Sequence, residues 1–267
     1  MNITIIGCGN IGMIYARAFH KYNIVGNRHL FVVEQNKERR KEIEKEKLAQ
    51  AFGSVNPGIK ESEIILLSVK PQDFQSIKKD LKKYLGKKTI LLSVMAGITI
   101  RRLQKELNHK IVLRAMPNSP IELGMGMTGF CAGKEVSTEQ VRKAEYLLST
   151  TGRTVFFDDE KMMNAVTAVS GSGPAYFFYF VKQLTEAGKK MGFDESVASL
   201  LVKQTMLGAF HQMNSSSKSL DELIATVASR GGTTEAALSQ FEKMHFPEAV
   251  ISGLLKAEKR GEELSQK

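Results

Sequence analysis

The residues with the most chemical potential stand in two short glycine-rich stretches. Towards the C-terminus, Val227-Ala228-Ser229-Arg230-Gly231-Gly232-Thr233-Thr234 places two glycines and three hydroxyls directly before a run of good helix formers, Glu235-Ala236-Ala237-Leu238. The spacing predicts a loop feeding a helix N-terminus. Unpaired N–H groups and the helix dipole there favour a small anion, most simply a carboxylate. The same pattern would serve an ordinary capped helix with Thr233 or Thr234 as N-cap. At the other end of the chain, Gly7-Cys8-Gly9-Asn10-Ile11-Gly12 follows the mostly apolar run Asn2–Ile6. It precedes a helical face of Ile11, Ile14, Tyr15, Ala18 and Phe19. A G-x-G-x-x-G between strand and helix predicts a dinucleotide site. The first glycine turns the chain, the second admits a pyrophosphate to the backbone, and the third lets helix pack on strand. Cys8 reads as a small filler within that loop.

These stretches need elements to hold them. A second strand, Leu30-Phe31-Val32-Val33, ends at Glu34, where an acidic side chain accepts from ribose hydroxyls and repels a 2′-phosphate. That favours NADH. Lys37, Arg39 and Arg40 follow closely and could pair with a phosphate. A helix is expected over 36–50. The continuous apolar run Ile64 to Val69 predicts a strand covered on both faces. It ends in Ser68-Val69-Lys70-Pro71. Later strands end in Met95-Ala96-Gly97 and in Met116-Pro117-Asn118-Ser119-Pro120. In an open α/β sheet these carboxyl ends would line one crevice.

The expected fold is therefore α/β. A Rossmann-type doubly wound sheet over residues 1–159 is followed by an all-α domain over 160–267. After Asp158 strand signals stop. A long helix opens around Ser170-Gly171-Ser172-Gly173-Pro174-Ala175-Tyr176 and runs through Met191, and another covers 195–213; both are apolar on most sides. A helix that is apolar all round must be buried, so packing between subunits is expected.

Composition narrows the function classes. A hydrophobic content of 42% and a charged content of 25% are those of an ordinary soluble protein. No apolar run is long enough to span a bilayer. Cys8 and Cys131 offer no disulfide framework and fit a reducing cytosol. The net charge of +10 sits in one half: residues 1–160 hold 26 Lys and Arg against 17 Asp and Glu, residues 161–267 hold 12 against 11. The cations are interleaved with glutamates, as in Lys37-Glu38-Arg39-Arg40-Lys41-Glu42, and there is no tryptophan. That pattern argues against nucleic acid and for an anionic small ligand.

The five histidines, His20, His29, His109, His211 and His245, have no metal-ligand spacing and lie in none of the small-residue motifs. A dehydrogenase acting on an alcohol needs a general base. The lack of a candidate points to a substrate that is already electrophilic, such as a protonated imine, which accepts hydride without a proton relay.

The chain resembles the pyrroline-5-carboxylate reductase family. The resemblance rests on Gly7 to Gly12, Val69-Lys70-Pro71, Ala96-Gly97, Arg114-Ala115-Met116-Pro117-Asn118-Ser119-Pro120, Ser170 to Tyr176 and Gly231-Gly232-Thr233-Thr234, which occur in the family's order. It implies a Rossmann domain, an interlocked helical dimerisation domain and often a ring of dimers. It also implies NAD(P)H-dependent reduction of 1-pyrroline-5-carboxylate to L-proline in the cytoplasm, the last step of proline biosynthesis. Carried over, it places Gly7, Cys8, Gly9, Asn10, Ile11 and Gly12 on the pyrophosphate. Ser68, Val69, Lys70, Pro71, Met95, Ala96 and Gly97 flank the ribose region, Asn118 lies near the nicotinamide, and Asn56 matches a cofactor-contacting asparagine. Ser229, Gly231, Gly232 and Thr233 hold the substrate carboxylate, and Thr234 bonds the reacting ring nitrogen. No metal is implied.

The chain departs from the family's pattern at Arg230, where the family usually has proline. Arg230 restores an N–H, frees φ and adds a cation beside the carboxylate site. It also departs in the polar connector Asn214 to Ser219, and in the acidic Glu34-Gln35-Asn36 where many members carry polar or basic residues. These differences keep two alternatives in view: a reductase for another imino acid, and a non-catalytic regulatory paralogue.

Overall fold

The computed structural model describes residues 1–26 and 28–265. They divide into two compact units, Met1–Ser172 with Ala257–Lys267, and Gly173–Lys256. The first unit is built on eight strands among the described residues: β1 (Ile3–Ile6), β2 (Leu30–Val33), β3 (Gln50–Phe52), β4 (Ile64–Leu67), β5 (Ile90–Ser93), β6 (Val112–Pro117), β7 (Gly126–Ala132) and β8 (Gly152–Phe156). They form one sheet in the order β3-β2-β1-β4-β5-β6-β7-β8. Strands β1 to β6 run parallel; β7 is antiparallel to β6, and β8 is parallel to β7. The order reverses between β1 and β4, which opens a crevice at their carboxyl ends.

Alternation of side chains along the strands explains the two layers. Ile3, Ile5, Ile64 and Leu66 join one buried cluster with Tyr15 and Phe19. Ile6, Ile65 and Leu67 join another with Phe74 and Leu81. Each such Ile or Leu, buried completely, contributes about 1.5–3 kcal/mol. The covering helices are α1 (Asn10–Lys21), α2 (Lys37–Lys45), α3 (Phe74–Tyr84), α4 (Ile100–Leu107), α5 (Thr138–Leu148) and α6 (Met162–Val166).

The expected helix over 36–50 is shorter. Asn36 caps it, with its Oδ1 accepting from the N–H groups of Glu38 and Arg39. Lys47, at a φ of 54°, lies in the left-handed region just past its end. The residues that follow form β3, a three-residue edge strand too short to show a period of two. Because α2 buries only Ile43, the charged periodicity carried no signal for where it stops.

The second unit contains α7 (Gly173–Lys190), α8 (Glu195–Ser215), α9 (Leu220–Val227), α10 (Thr233–Lys243) and the start of α11 (Phe246–Ser265). The expected opening at Ser170 splits in two. A π-helical turn, Thr167–Gly171, is closed by Ser172 N–H on the Thr167 carbonyl at 2.8 Å, and α7 begins after it. The connector is also shorter than Asn214 to Ser219, because α8 runs on to Ser215. Glycine at 188 lets α7 meet α8 at Ala198, where an added Cβ would stand 3.0 Å away. Within one chain the apolar helices are not buried: Phe177, Phe178 and Tyr179 are 60%, 69% and 66% exposed, and Leu200, Ile251 and Leu255 are similar. No helix among the described residues is long and apolar enough to cross a membrane.

One ion pair joins a buried arginine of β6 to a partly exposed carboxylate. Glu160 Oε1 accepts from Arg114 Nη1 at 3.1 Å and from the Ile100 N–H, at the start of α4, at 2.8 Å. Arg114 is only 4% exposed. Removing the carboxylate strands that charge, so Glu160→Ala should lower stability by about 2–4 kcal/mol in urea unfolding; a change within about 0.5 kcal/mol would show that the pair is immaterial.

Candidate active site

The crevice begins at the elbow between β1 and α1. Gly7 has a φ of 86°, and a Cβ there would stand 2.7–2.9 Å from Val69. A Cβ on Gly12 would stand 2.1 Å from the Gly7 carbonyl oxygen and 2.7 Å from Ser68 Oγ. Both positions are glycine because the protein's own backbone leaves no space. Gly9 is different. It has ordinary backbone geometry, and nothing lies within 4 Å of an added Cβ. It is also the N-cap of α1, and no side chain caps that helix. The chain thus leaves open a surface of N–H groups at the positive end of a helix, which suits a phosphate.

Around this elbow a cavity of about 360 Å³ opens, lined among others by Gly7, Gly9, Glu34, Arg39, Ser68 and Lys70. Glu34 is held from both sides: Oε2 accepts from the Cys8 N–H at 2.7 Å and Oε1 from the Asn36 N–H at 2.8 Å. Its carboxylate is therefore fixed facing the crevice before any ligand arrives. The neighbouring cations have separate tasks. Arg40 Nη1 donates to the carbonyls of Glu34 and Gln35 at 2.6 and 2.8 Å and braces the turn after β2. Arg39 Nη1 reaches the Cys8 carbonyl at 3.2 Å and stays on the cavity wall.

Other expected residues are placed as follows. Ser68 Oγ donates to the Gly7 carbonyl, and Pro71 starts a short 3-10 turn beyond Lys70. Asn56 caps the 3-10 turn Pro57–Glu61 through a bond from the Gly58 N–H at 2.9 Å. The cavity wall is instead formed by its predecessors Ser54 and Val55, with Asp73 and Ser76 opposite. Ser54 and Val55 were missed because they follow β3, whose strand signal is weak; Asp73 and Ser76 lie beyond Pro71, in a turn and helix start with no motif of their own. Met95, Ala96 and Gly97 form the turn after β5, with the Met95 N–H on Ser93 Oγ at 3.3 Å. Asn118, at the end of β6, is fixed by the Met127 N–H on its Oδ1 at 2.8 Å and by a 3.4 Å bond to Ser170 Oγ. Neither group lines this cavity; both sit at carboxyl ends of neighbouring strands.

The second glycine stretch belongs to the helical unit. Gly232, rather than Thr233 or Thr234, is the N-cap of α10, and no side chain caps it. Gly231 adopts a φ of 71° and Gly232 N–H returns to the Ser229 carbonyl at 3.0 Å, which curls the loop. The Gly231 N–H already holds a carboxylate, Glu235 Oε2 at 2.6 Å. The hydroxyls of Thr233 and Thr234 make no hydrogen bond among the described residues. Arg230 is exposed beside them. His109 is buried on the Thr89 carbonyl, far in sequence from either loop, and burial lowers its pKa. Among the described residues no group of His, Cys, Asp and Glu is placed to hold a metal ion.

Sequence comparison decides the family. A pyrroline-5-carboxylate reductase of Pseudomonas aeruginosa is 38% identical over 230 residues, which cover 86% of this chain and 84% of that relative. The chain belongs to the pyrroline-5-carboxylate reductase family. A family model described as pyrroline-5-carboxylate reductase dimerisation matches residues 160–264, and one described as NADP oxidoreductase, coenzyme F420-dependent, matches residues 2–97. The solved structure of a pyrroline-5-carboxylate reductase from Coxiella burnetii superposes with a TM-score of 0.91 at 29% identity, covering 100% of this chain and 99% of that one. That of the Plasmodium falciparum pyrroline carboxylate reductase with NADP bound gives 0.87 at 26% identity, covering 99% and 98%. The Rossmann-type sheet and the helical dimerisation domain are thus features this protein shares with its family.

Burial pushes the Cys8 thiol up to about 12, and the Glu34 carboxylate adds to the shift. Cys131 is likewise raised to about 12 by burial and by Glu160. Thiols react as thiolates, so neither should be labelled by a disulfide reagent at pH 8 in the native protein, whereas denaturation should release both. Rapid labelling of native protein would show that the glycine-loop cysteine is activated.

Proposed function

We propose that this protein reduces 1-pyrroline-5-carboxylate to L-proline with a reduced nicotinamide dinucleotide, the last step of proline biosynthesis. The observation that carries the proposal is the uncapped start of α10, where the Gly231 N–H already holds a carboxylate. The substrate's carboxylate competes for that seat with Glu235 and is gripped by Ser229, Gly231, Gly232 and Thr233. The Thr234 hydroxyl, free of other partners, bonds the ring nitrogen and orients the C=N bond. The ring is protonated at nitrogen as it binds, so its carbon takes hydride and the π electrons pass to nitrogen, with no further proton needed in that step. When bound, the nicotinamide supplies that hydride. The chain contributes position and electrostatics.

On this reading Gly7 to Gly12 hold the pyrophosphate, Ser68 to Pro71 and Met95 to Gly97 flank the riboses, and Asn118 lies near the nicotinamide, while Asn56 caps the turn behind Ser54 and Val55, which face the cofactor. Residues 1–159 serve the dinucleotide, and 160–267 serve the substrate and the dimer. The exposed aromatic and aliphatic faces of α7 and α8 support a homodimer, which closes further into a ring of dimers. The buried thiols of Cys8 and Cys131 support a cytoplasmic location.

NADH is the preferred donor. The fixed Glu34 carboxylate accepts from ribose hydroxyls, and it repels a 2′-phosphate by about 1–4 kcal/mol per unit charge at 4 Å. Glu34→Ser should therefore raise kcat/KM for NADPH relative to NADH by about tenfold. An unchanged ratio would remove Glu34 from donor choice.

The deciding assay is oxidation of NADH and NADPH by the purified protein with pyrroline-5-carboxylate, set against larger cyclic imino acids. Exposed Arg230 favours the second reading, a larger or more acidic imino acid; a tenfold preference for such a substrate would establish it. Absence of turnover with every imine, together with retained nucleotide binding, would establish a regulatory paralogue. Thr234→Ala should lower kcat/KM by at least about tenfold, since it removes a bond to the reacting group. Near-normal activity would refute that role.

A further inference from the structure

The stretch Ser170 to Tyr176 belongs to neither glycine loop, yet its first residue is bonded to the end of β6. Asn118 directly follows Pro117, the last residue of that strand, and its side chain is engaged at both ends. Oδ1 accepts from the Met127 N–H at 2.8 Å. That contact fixes how the amide is turned, because an N–H can bond only the oxygen. Nδ2 then points the other way, to Ser170 Oγ at 3.4 Å. An amide nitrogen only donates, so the Ser170 oxygen accepts and its own proton is left for another partner. No acceptor among the described residues takes that proton, and Nδ2 keeps a second hydrogen.

Ser170 is carried there by the π-helical turn Thr167–Gly171, which packs against β6. The turn is tied from behind: Thr167 Oγ1 donates to the Met163 carbonyl at 2.7 Å, and the Ser172 N–H closes on the Thr167 carbonyl. Gly171 faces Met116 of β6, where an added Cβ would stand 2.8 Å from Met116 Cε. Single π-turns inside helices are rare and frequent at functional sites. Asn118 and Ser170 are both half-buried, which leaves a ligand room to reach them. Two donor groups therefore stand together at the carboxyl end of a strand, with no acceptor between them. They suit a carbonyl oxygen.

We propose that Ser170 is a cofactor-binding residue: held by Asn118, its hydroxyl donates to the carboxamide oxygen of the nicotinamide and fixes the rotation of that ring. This rests on the reading above that places Asn118 near the nicotinamide. A ring free to rotate presents its hydride in the wrong direction part of the time, and hydride transfer tolerates little misplacement of the donor.

The test uses the full chain with Ser170→Ala and Ser170→Thr, and two probes, NADH and ADP-ribose, which lacks the nicotinamide. Calorimetric titration gives Kd for each, and steady-state kinetics give kcat and KM. Ser170→Ala removes the bonded atom itself. It should raise Kd for NADH by about three- to tenfold, the scale of one neutral hydrogen bond. Kd for ADP-ribose should stay within about twofold, a split that loosened packing would not produce. Turnover should fall, with KM for pyrroline-5-carboxylate within about twofold. Ser170→Thr keeps a hydroxyl and should bind NADH within about threefold of wild type. An unchanged Kd for NADH in Ser170→Ala, an equal rise for both probes, or a loss in Ser170→Thr as large as in Ser170→Ala would overturn the proposal. A rise confined to KM for the imine would overturn it too and give the hydroxyl to the substrate. Wild-type protein that binds neither probe would instead sink the cofactor reading itself.

Discussion

The structure depends on one steric constraint: two backbone segments cross at the ends of β1 and β4 with no room for a side chain. Gly12 sits against the Gly7 carbonyl, Gly7 sits against Val69, and Ser68 ties the two strands by bonding the same carbonyl. This contact brings the first turn of α1 down onto the sheet and points its N–H groups into the crevice. With a Cβ at position 12, the helix would have to lift, and the crevice would lose its positive wall. The parallel pairing of β1 with β2 and β4, the placing of Glu34 and the position of the Ser68–Pro71 segment all follow from that elbow.

The glycine motif was legible because its signal is local. Strand, tight turn and helix face lie within about twenty residues, and each has its own pattern. What the motif does not disclose is why each glycine is there. Two are demanded by the protein's own packing. Gly9 is demanded by nothing in the chain: the space beside it stays open to the crevice. The cations after β2 show the same division. Lys37, Arg39 and Arg40 look alike in sequence, yet Arg40 is spent on two carbonyls while Arg39 faces the cavity. That sorting depends on where helix α2 starts and on the edge strand β3, which three residues could not announce.

The helical unit inverts the usual relation between pattern and burial. Its helices are apolar around most of their circumference, but in a single chain their aromatic residues remain open to water. Apolar surface of this extent is stable only when covered, which agrees with a dimerisation domain recognised over residues 160–264. The loop before α10 differs from an ordinary helix start in one respect: a glycine occupies the N-cap, so neither threonine is consumed in capping. Both hydroxyls stay unbonded, while the Gly231 and Gly232 N–H groups are satisfied from within by Glu235 and the Ser229 carbonyl.

By itself the sequence determined the α/β class, the change to helices after Asp158, the dinucleotide loop, the hydroxyl-rich loop and the family. Each of these is carried by residues close together in the chain or by collinear motifs. Tertiary structure alone decided which glycines are packed against the protein's own backbone and which face open space, and how both oxygens of Glu34 are engaged. It alone showed that buried Arg114 pairs with the partly exposed Glu160, and that the end of α11 lies near Gly97. The physical reason is the same in each case. These are contacts between segments distant in sequence, made at the ends of strands and helices where no periodicity marks a partner, and set by how closely two backbones can approach.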